Sequence, residues 1–114
     1  MFDFEKLQLY QKSLVFIDDV YLITNKFPRH ELYGLSDQFR RAACSIALNI
    51  GEGSGGTKME FKKFLRYSKR SIRECVVCVS ISERRNYISK DQEIELRCKL
   101  TELSKMNAGL SNSI

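Results

Sequence analysis

Three glycines have the G-x-G-x-x-G spacing of a dinucleotide-binding turn: Gly51, Gly53 and Gly56. Read on to Lys58, the same segment also approaches a Walker phosphate loop. Both loops must follow a β-strand and open a helix. Here the preceding residues have helical periodicity, and the closing Gly-Thr-Lys reverses the Walker order. The sequence therefore predicts a corner between two helices, with Gly53 just past a helix end, where φ is often positive, and Thr57 capping the next helix.

Cys75 and Cys78 form a C-x-x-C pair, a spacing found in zinc sites and redox centres. A zinc ribbon needs a second such pair, which Cys44 and Cys98 do not supply. The pair also lies in a helical, valine-rich stretch, so we predict reduced thiols in the core and neither metal nor cofactor. The only histidine, His30, is distant in sequence from every thiol, and no paired-carboxylate signature is present. The sequence therefore does not predict an enzyme.

Residues 58–73 carry the strongest charge bias, with seven basic and one acidic side chain. At about 100° per residue, five of the basic side chains share one stripe of a helix and two lie beside it. The stripe contains Lys58, Lys62, Arg66, Lys69 and Arg73, and its neighbours are Lys63 and Arg70. A charge run is usually a solvated helix face. The lack of interleaved acids favours instead a surface for the backbone of RNA or DNA, while Tyr67 gives weak support for base stacking.

Three polar side chains interrupt apolar helical stretches: Asn49, Glu52 and Glu74. They form either a polar pocket or a hydrogen-bonded staple that fixes the register of two helices. We favour the staple, because buried polar groups need partners. The candidate partners are Arg40, Arg41 and Arg73.

Helical periodicity dominates the chain, which contains one proline. The predicted helices run from Asp3 to the residues before Pro28, over 34–53, from Thr57 to about Ser82, and from Ser89 onward. Thr57 and Ser89 each begin a capping box. Short connections favour an all-α, antiparallel up-down four-helix bundle, formed as one domain over residues 1–114.

The first predicted helix has two apolar stripes. One contains Leu7, Tyr10, Leu14, Ile17 and Tyr21, and the second contains Leu9, Phe16, Val20 and Ile23. A single stripe is enough to line the core of the bundle. We predict that the second stripe is covered by a neighbouring subunit in a homo-oligomer. Packing against the rest of the same chain is the equal alternative.

The whole sequence fits a folded domain outside the membrane. Its 114 residues are 43% hydrophobic, which supports one core. No apolar run approaches the ~20 residues that span a bilayer. The acidic start "MFDFEKLQLY" lacks the basic and apolar regions of a secretory signal. We therefore expect a cytoplasmic protein.

Two segments resemble a known family: "FPRHELYGLSDQFRRAACSIALNIGEG" and "EFKKFLRYSKRSIREC". They are similar to the four-helix bundle family named after the protein encoded in intervening sequences of bacterial 23S rRNA genes. The resemblance implies an antiparallel bundle that commonly assembles into a ring-like homopentamer. A distant branch accompanies reverse transcriptases of diversity-generating retroelements and binds RNA and the transcriptase.

The residues and the resemblance together leave two functions open. The first is a non-enzymatic oligomer that binds RNA or DNA through the basic stripe. The alternative is an oligomeric scaffold that binds a partner protein, such as a reverse transcriptase, without binding nucleic acid.

Overall fold

The computed structural model describes all of residues 1–114 and consists of four α-helices joined by short connections. The helices are α1 (Gln8–Thr24), α2 (Leu35–Ser54), α3 (Lys58–Arg84) and α4 (Lys90–Asn112). Two short 3-10 helices, Asp3–Lys6 and Arg29–Glu31, precede α1 and α2, and there is no strand. The predicted all-α four-helix class is confirmed.

Side-chain contacts between α3 and α4 show their antiparallel arrangement. Near the connection between them, Arg97 donates a hydrogen bond to the Ser80 hydroxyl at 2.7 Å. Toward the other end, the buried amide of Asn107 donates to the Leu65 carbonyl at 3.0 Å. The bundle measures 42 × 24 × 22 Å, and α2 and α3 form its most extensive helix pair.

Both predicted capping boxes are present. The Thr57 hydroxyl accepts from the Glu60 amide at 3.1 Å, and the Glu60 carboxylate accepts from the Thr57 amide at 2.9 Å. Ser89 and Gln92 make the same reciprocal pair at the start of α4. Since the first amides of a helix have no partner inside it, these side chains fix where α3 and α4 begin.

The N-terminus differs from the predicted helix start at Asp3. Residues Asp3–Lys6 form a separate 3-10 turn, and Leu7 is extended before α1 begins at Gln8. The break allows Phe4 to pack edge-on against Tyr10, with 5.0 Å between ring centroids, and beside Gly51 of α2. Burial of this ring favours the break over one continuous helix.

The predicted subunit-interface role of the second α1 stripe is wrong, and the alternative, packing within the same chain, is correct. Leu9, Phe16 and Val20, assigned to a subunit interface, are 3%, 1% and 0% exposed within the single chain, while Ile23 is partly buried. They line the core of the bundle and are unavailable to another subunit. A helical wheel separates two faces but does not say which face meets the neighbouring helices.

Gly53 also differs from its prediction. It lies inside α2 rather than beyond its end, and no glycine has a positive φ. A Cβ placed on Gly53 would overlap the Cβ of Phe64 and approach the Phe61 ring at 3.3 Å. The glycine is therefore needed for close approach of α2 and α3, and not for an unusual backbone conformation.

Candidate nucleic-acid interface

α3 packs one side into the bundle and leaves the opposite side open. Its buried side chains, including Leu65, Ile72 and Val79, face α2 and α4. The predicted stripe lies on the other side of the helix, given the ~100° step between residues. From Lys58 to Arg73 it extends about 22 Å along the axis, at ~1.5 Å per residue.

The structure leaves all seven basic side chains of residues 58–73 without a hydrogen bond or an ion pair to the protein. Lys62 is partly buried, and the others are exposed: Lys58, Lys63, Arg66, Lys69, Arg70 and Arg73. None of the seven comes within 4.0 Å of a carboxylate oxygen. Lys63 and Arg70 lie over the Phe64 and Tyr67 rings, and no carboxylate pairs with any of the seven cations.

Most cations on the other three helices have a polar partner, and exposed Lys105 of α4 is the exception. Lys12 of α1 pairs with Glu102 of α4 at 2.9 Å, and Lys99 of α4 pairs with Asp19 of α1 at 2.6 Å. The hydrogen bond from Lys99 to Asp19 raises the pKa of that lysine. Because the fold pairs these charges across α1 and α4, the unpaired cations of α3 form the main concentration of positive charge.

The one acid in this segment does not neutralise the stripe. Glu60 is held in the capping box, where the hydrogen bond from the Thr57 amide lowers the pKa of its carboxyl. Its charge faces the amides at the start of α3, as the helix dipole favours. The basic side chains of residues 58–73 therefore face solvent without a paired carboxylate among them.

The predicted staple of Asn49, Glu52 and Glu74 is only partly formed. Asn49 is partly buried and donates to the Ser45 hydroxyl at 3.0 Å, and Ser71 of α3 donates to the same hydroxyl at 2.8 Å. Glu52 and Glu74 are exposed and make no hydrogen bond or ion pair. The polar link between α2 and α3 therefore runs through serines, whose small hydroxyls gave no distinctive sequence signal.

The three arginines that were candidate partners of the staple contact other residues or none. Arg40 donates to Thr24 at 2.8 Å and Asn25 at 2.9 Å, so it ties α2 to the end of α1. Arg41 lies 3.8 Å from Asp37 on its own helix. Arg73 remains among the free cations of α3, and none of the three joins the serine link.

Cys75 and Cys78 lie in the core, at 0% and 2% exposure. Burial raises the pKa of both thiols, that of Cys78 to about 11, which disfavours the thiolate that metal binding and redox exchange require. No group of three or more His, Cys, Asp or Glu side chains converges anywhere in the structure. His30 lies at an exposed end of the bundle, 3.5 Å from the Tyr87 hydroxyl.

An apolar groove between α1 and α2 was missed from the sequence. It has a volume of about 620 Å³ and is lined mainly by apolar side chains, including Leu14, Ile17 and Leu48. Leu48 is 67% exposed. Tyr10 of the first α1 stripe lines the groove and was the available signal, because a ring with a hydroxyl suits a rim better than a dry core.

The comparisons with known proteins agree with the bundle architecture. A sequence model of the family described as "23S rRNA-intervening sequence protein" matches residues 5–109. The chain belongs to this family. No protein of curated function matches it. No helix is long and apolar enough to cross a membrane.

A crystal structure gives the same fold. It is of a protein of unknown function from the S23 ribosomal protein family of Bacteroides thetaiotaomicron VPI-5482. The two structures agree with a TM-score of 0.83 at 21% identity, over 90% of this chain and 97% of the other. At this identity the likeness establishes the fold of the bundle. The descriptions of the family and of this relative name no enzymatic activity.

Proposed function

We propose that this protein is a non-enzymatic nucleic-acid-binding protein that contacts backbone phosphates through the basic stripe of α3. The observation that carries the proposal is the set of seven basic side chains that have no ion pair in the fold, six of them exposed. Free cations along one helix face attract a polyanion, and each phosphate that they neutralise releases condensed counterions. We propose that the protein binds this ligand in the cytoplasm.

The family description names the intervening sequence of 23S rRNA that encodes such proteins, and it does not choose between RNA and DNA as the ligand. The stripe itself consists of lysine and arginine on a solvent-facing helix. Such side chains position a protein on phosphates without identifying bases. We therefore expect weak sequence preference, with binding to both RNA and DNA.

The test is a charge reversal at the centre of the stripe. Lys62→Glu, Arg66→Glu and Lys69→Glu together should abolish binding in fluorescence anisotropy while leaving helicity and melting temperature close to those of the parent. None of the three makes a hydrogen bond or an ion pair in the fold, and Arg66 and Lys69 are exposed while Lys62 is partly buried. Retention of binding in this triple variant would reject the proposal.

A matched control separates position from net charge. Lys26, Arg29 and Arg84 are exposed, have no ion pair and lie at the other end of the bundle from the start of α3. Their exchange for glutamate removes the same amount of positive charge. The control should keep most of the affinity, whereas an equal loss in both variants would indicate nonspecific attraction to a basic protein.

The α1–α2 groove supports a second candidate function, that of an oligomeric scaffold. Partly buried Leu14 and Ile17 and exposed Leu48 form an apolar surface that a second subunit or a partner protein would cover. A homopentamer is the assembly that the family resemblance suggests, and a reverse transcriptase is the partner it suggests.

Light scattering tests this second proposal. Leu48→Lys should reduce the mass of the assembly without unfolding the chain, because Leu48 is exposed in the single chain. Phe16→Lys is the wrong variant for this purpose, since a buried lysine would disrupt the core itself. A monomeric parent protein at micromolar concentration would reject the scaffold proposal.

A further inference from the structure

The aromatic rings near the basic stripe are already engaged within the protein. Phe61 and Phe64 pack around Gly53 of α2. The Tyr67 ring meets the Phe64 ring edge-on, with 5.5 Å between centroids, and the Arg70 guanidinium lies over it at 5.8 Å. The large exposed apolar side chain at the start of α3 is Met59, which has no aromatic ring on which a base could stack. The stripe therefore has cations but no free aromatic platform.

Proteins that hold single strands gain much of their affinity from such platforms. Each base stacked on an aromatic side chain contributes about 1–3 kcal/mol. A flexible strand must also lose conformational freedom to align its phosphates with fixed cations. On this surface, no stacking would offset that loss.

A double helix loses less conformational freedom than a single strand when it binds the stripe. Its phosphates are already fixed in space, and the cations are attached to a helix that is packed against α2 and α4. The duplex also carries about one charge per 1.7 Å of its axis, and it releases more counterion per contact than a single strand does. The fixed positions of the duplex phosphates and their high charge density therefore favour binding of a duplex to the cations of α3.

We propose that the basic stripe of α3 selects double-helical nucleic acid over single strands of the same sequence. This inference rests on the proposed function and specifies the ligand of the same surface. Selection comes from the pairing of cations on a packed helix, without a free aromatic ring, with the fixed and dense phosphates of a duplex. Because the shared feature is the duplex backbone, RNA and DNA duplexes are both ligands.

The test compares four oligonucleotides of equal length at one salt concentration: duplex and single-stranded forms of both RNA and DNA. Each duplex should bind about tenfold or more tightly than its own single strands, and the difference between the two duplexes reports which backbone geometry fits better. Tyr67→Leu removes the ring but keeps an apolar side chain, and it should leave all four affinities unchanged.

Three results would overturn the inference in distinguishable ways. Equal or tighter binding of single strands would remove duplex selection while leaving the proposed function in place. Loss of single-strand affinity in Tyr67→Leu would show that the ring does stack on bases. Failure of all four oligonucleotides to bind at low salt would reject the proposed function as well.

Discussion

At the scale of single residues, Gly53 determines how closely α2 and α3 approach. Gly53→Ala would force a Cβ into Phe64, and overpacking of this kind costs about 1–3 kcal/mol. The gain in helix propensity, about 1 kcal/mol, offsets part of that cost. We therefore expect a net loss in the free energy of unfolding, measured by chemical denaturation.

Gly109 of α4 provides the control, because nothing lies within 4 Å of the Cβ that Gly109→Ala would add. This variant should be stabilised by about 0.5–1 kcal/mol through propensity alone. If both variants were stabilised alike, Gly53 would not be a packing residue.

Glu31 joins separate parts of the chain at one end of the bundle. Its carboxylate accepts from the Leu35 amide at the start of α2 at 3.1 Å, and from the Tyr87 hydroxyl at 2.8 Å. The bond from Leu35, followed by that from Tyr87, lowers the pKa of the Glu31 carboxyl below its ordinary 4.5. The stabilisation is therefore complete above that ordinary value and is lost as the pH falls through the lowered one.

Glu31→Gln should accordingly lower the melting temperature near neutral pH, because the amide replaces a charged acceptor with a weaker neutral one. The difference from the parent should begin to shrink as the pH falls below about 4.5 and should be smallest below the lowered pKa of Glu31, where the folded parent carboxyl also loses its charge. Melting curves of the parent and of Glu31→Gln, recorded from neutral to acid pH, test this pH dependence. A difference that stays constant down to acid pH would contradict the role of the charge.

At the scale of helices, the capping box at Thr57 fixes the start of α3 and hence of the stripe. Thr57→Ala removes the hydroxyl that accepts from Glu60 and should cost about 0.5–2 kcal/mol of stability. Thr57→Ser keeps the hydroxyl and should cost much less. Equal losses in thermal melts of both variants would mean that the methyl group matters and the cap does not.

The helices and their caps could be predicted from sequence because both depend on neighbours along the chain. Thr57 and Glu60 are three residues apart, and the basic stripe follows from a fixed angle per residue. The roles of Phe16 and Gly53 could not be predicted in this way. They depend on which helix packs against which face, and that is a property of the folded chain.

In the candidate site, too, some features follow from the sequence and others depend on the folded chain. The positions of the cations on one face of α3 followed from their spacing, whereas their lack of partners required the structure. Lys12 and Lys99 look no different in sequence from Lys62, yet the fold brings carboxylates of distant helices to the first two. Glu52 and Glu74 were grouped by their type, but exposure leaves them outside the serine link between α2 and α3.

At the scale of the whole molecule, charge is divided between a paired and an unpaired side. Ion pairs link α1 to α4, while the start of α3 concentrates free cations over about 22 Å. The net charge of +5 understates this local concentration. The central claim is therefore that phosphate contacts along α3, and not general basicity, hold the ligand.

The salt dependence of duplex binding tests that claim most directly. If the five side chains of the stripe each neutralise one phosphate of duplex DNA, a plot of log affinity against log salt concentration should have a slope of about −4.5. The control with Lys26, Arg29 and Arg84 exchanged for glutamate should keep that slope. A shallow slope in the parent protein, or a control slope clearly shallower than that of the parent, would contradict the account.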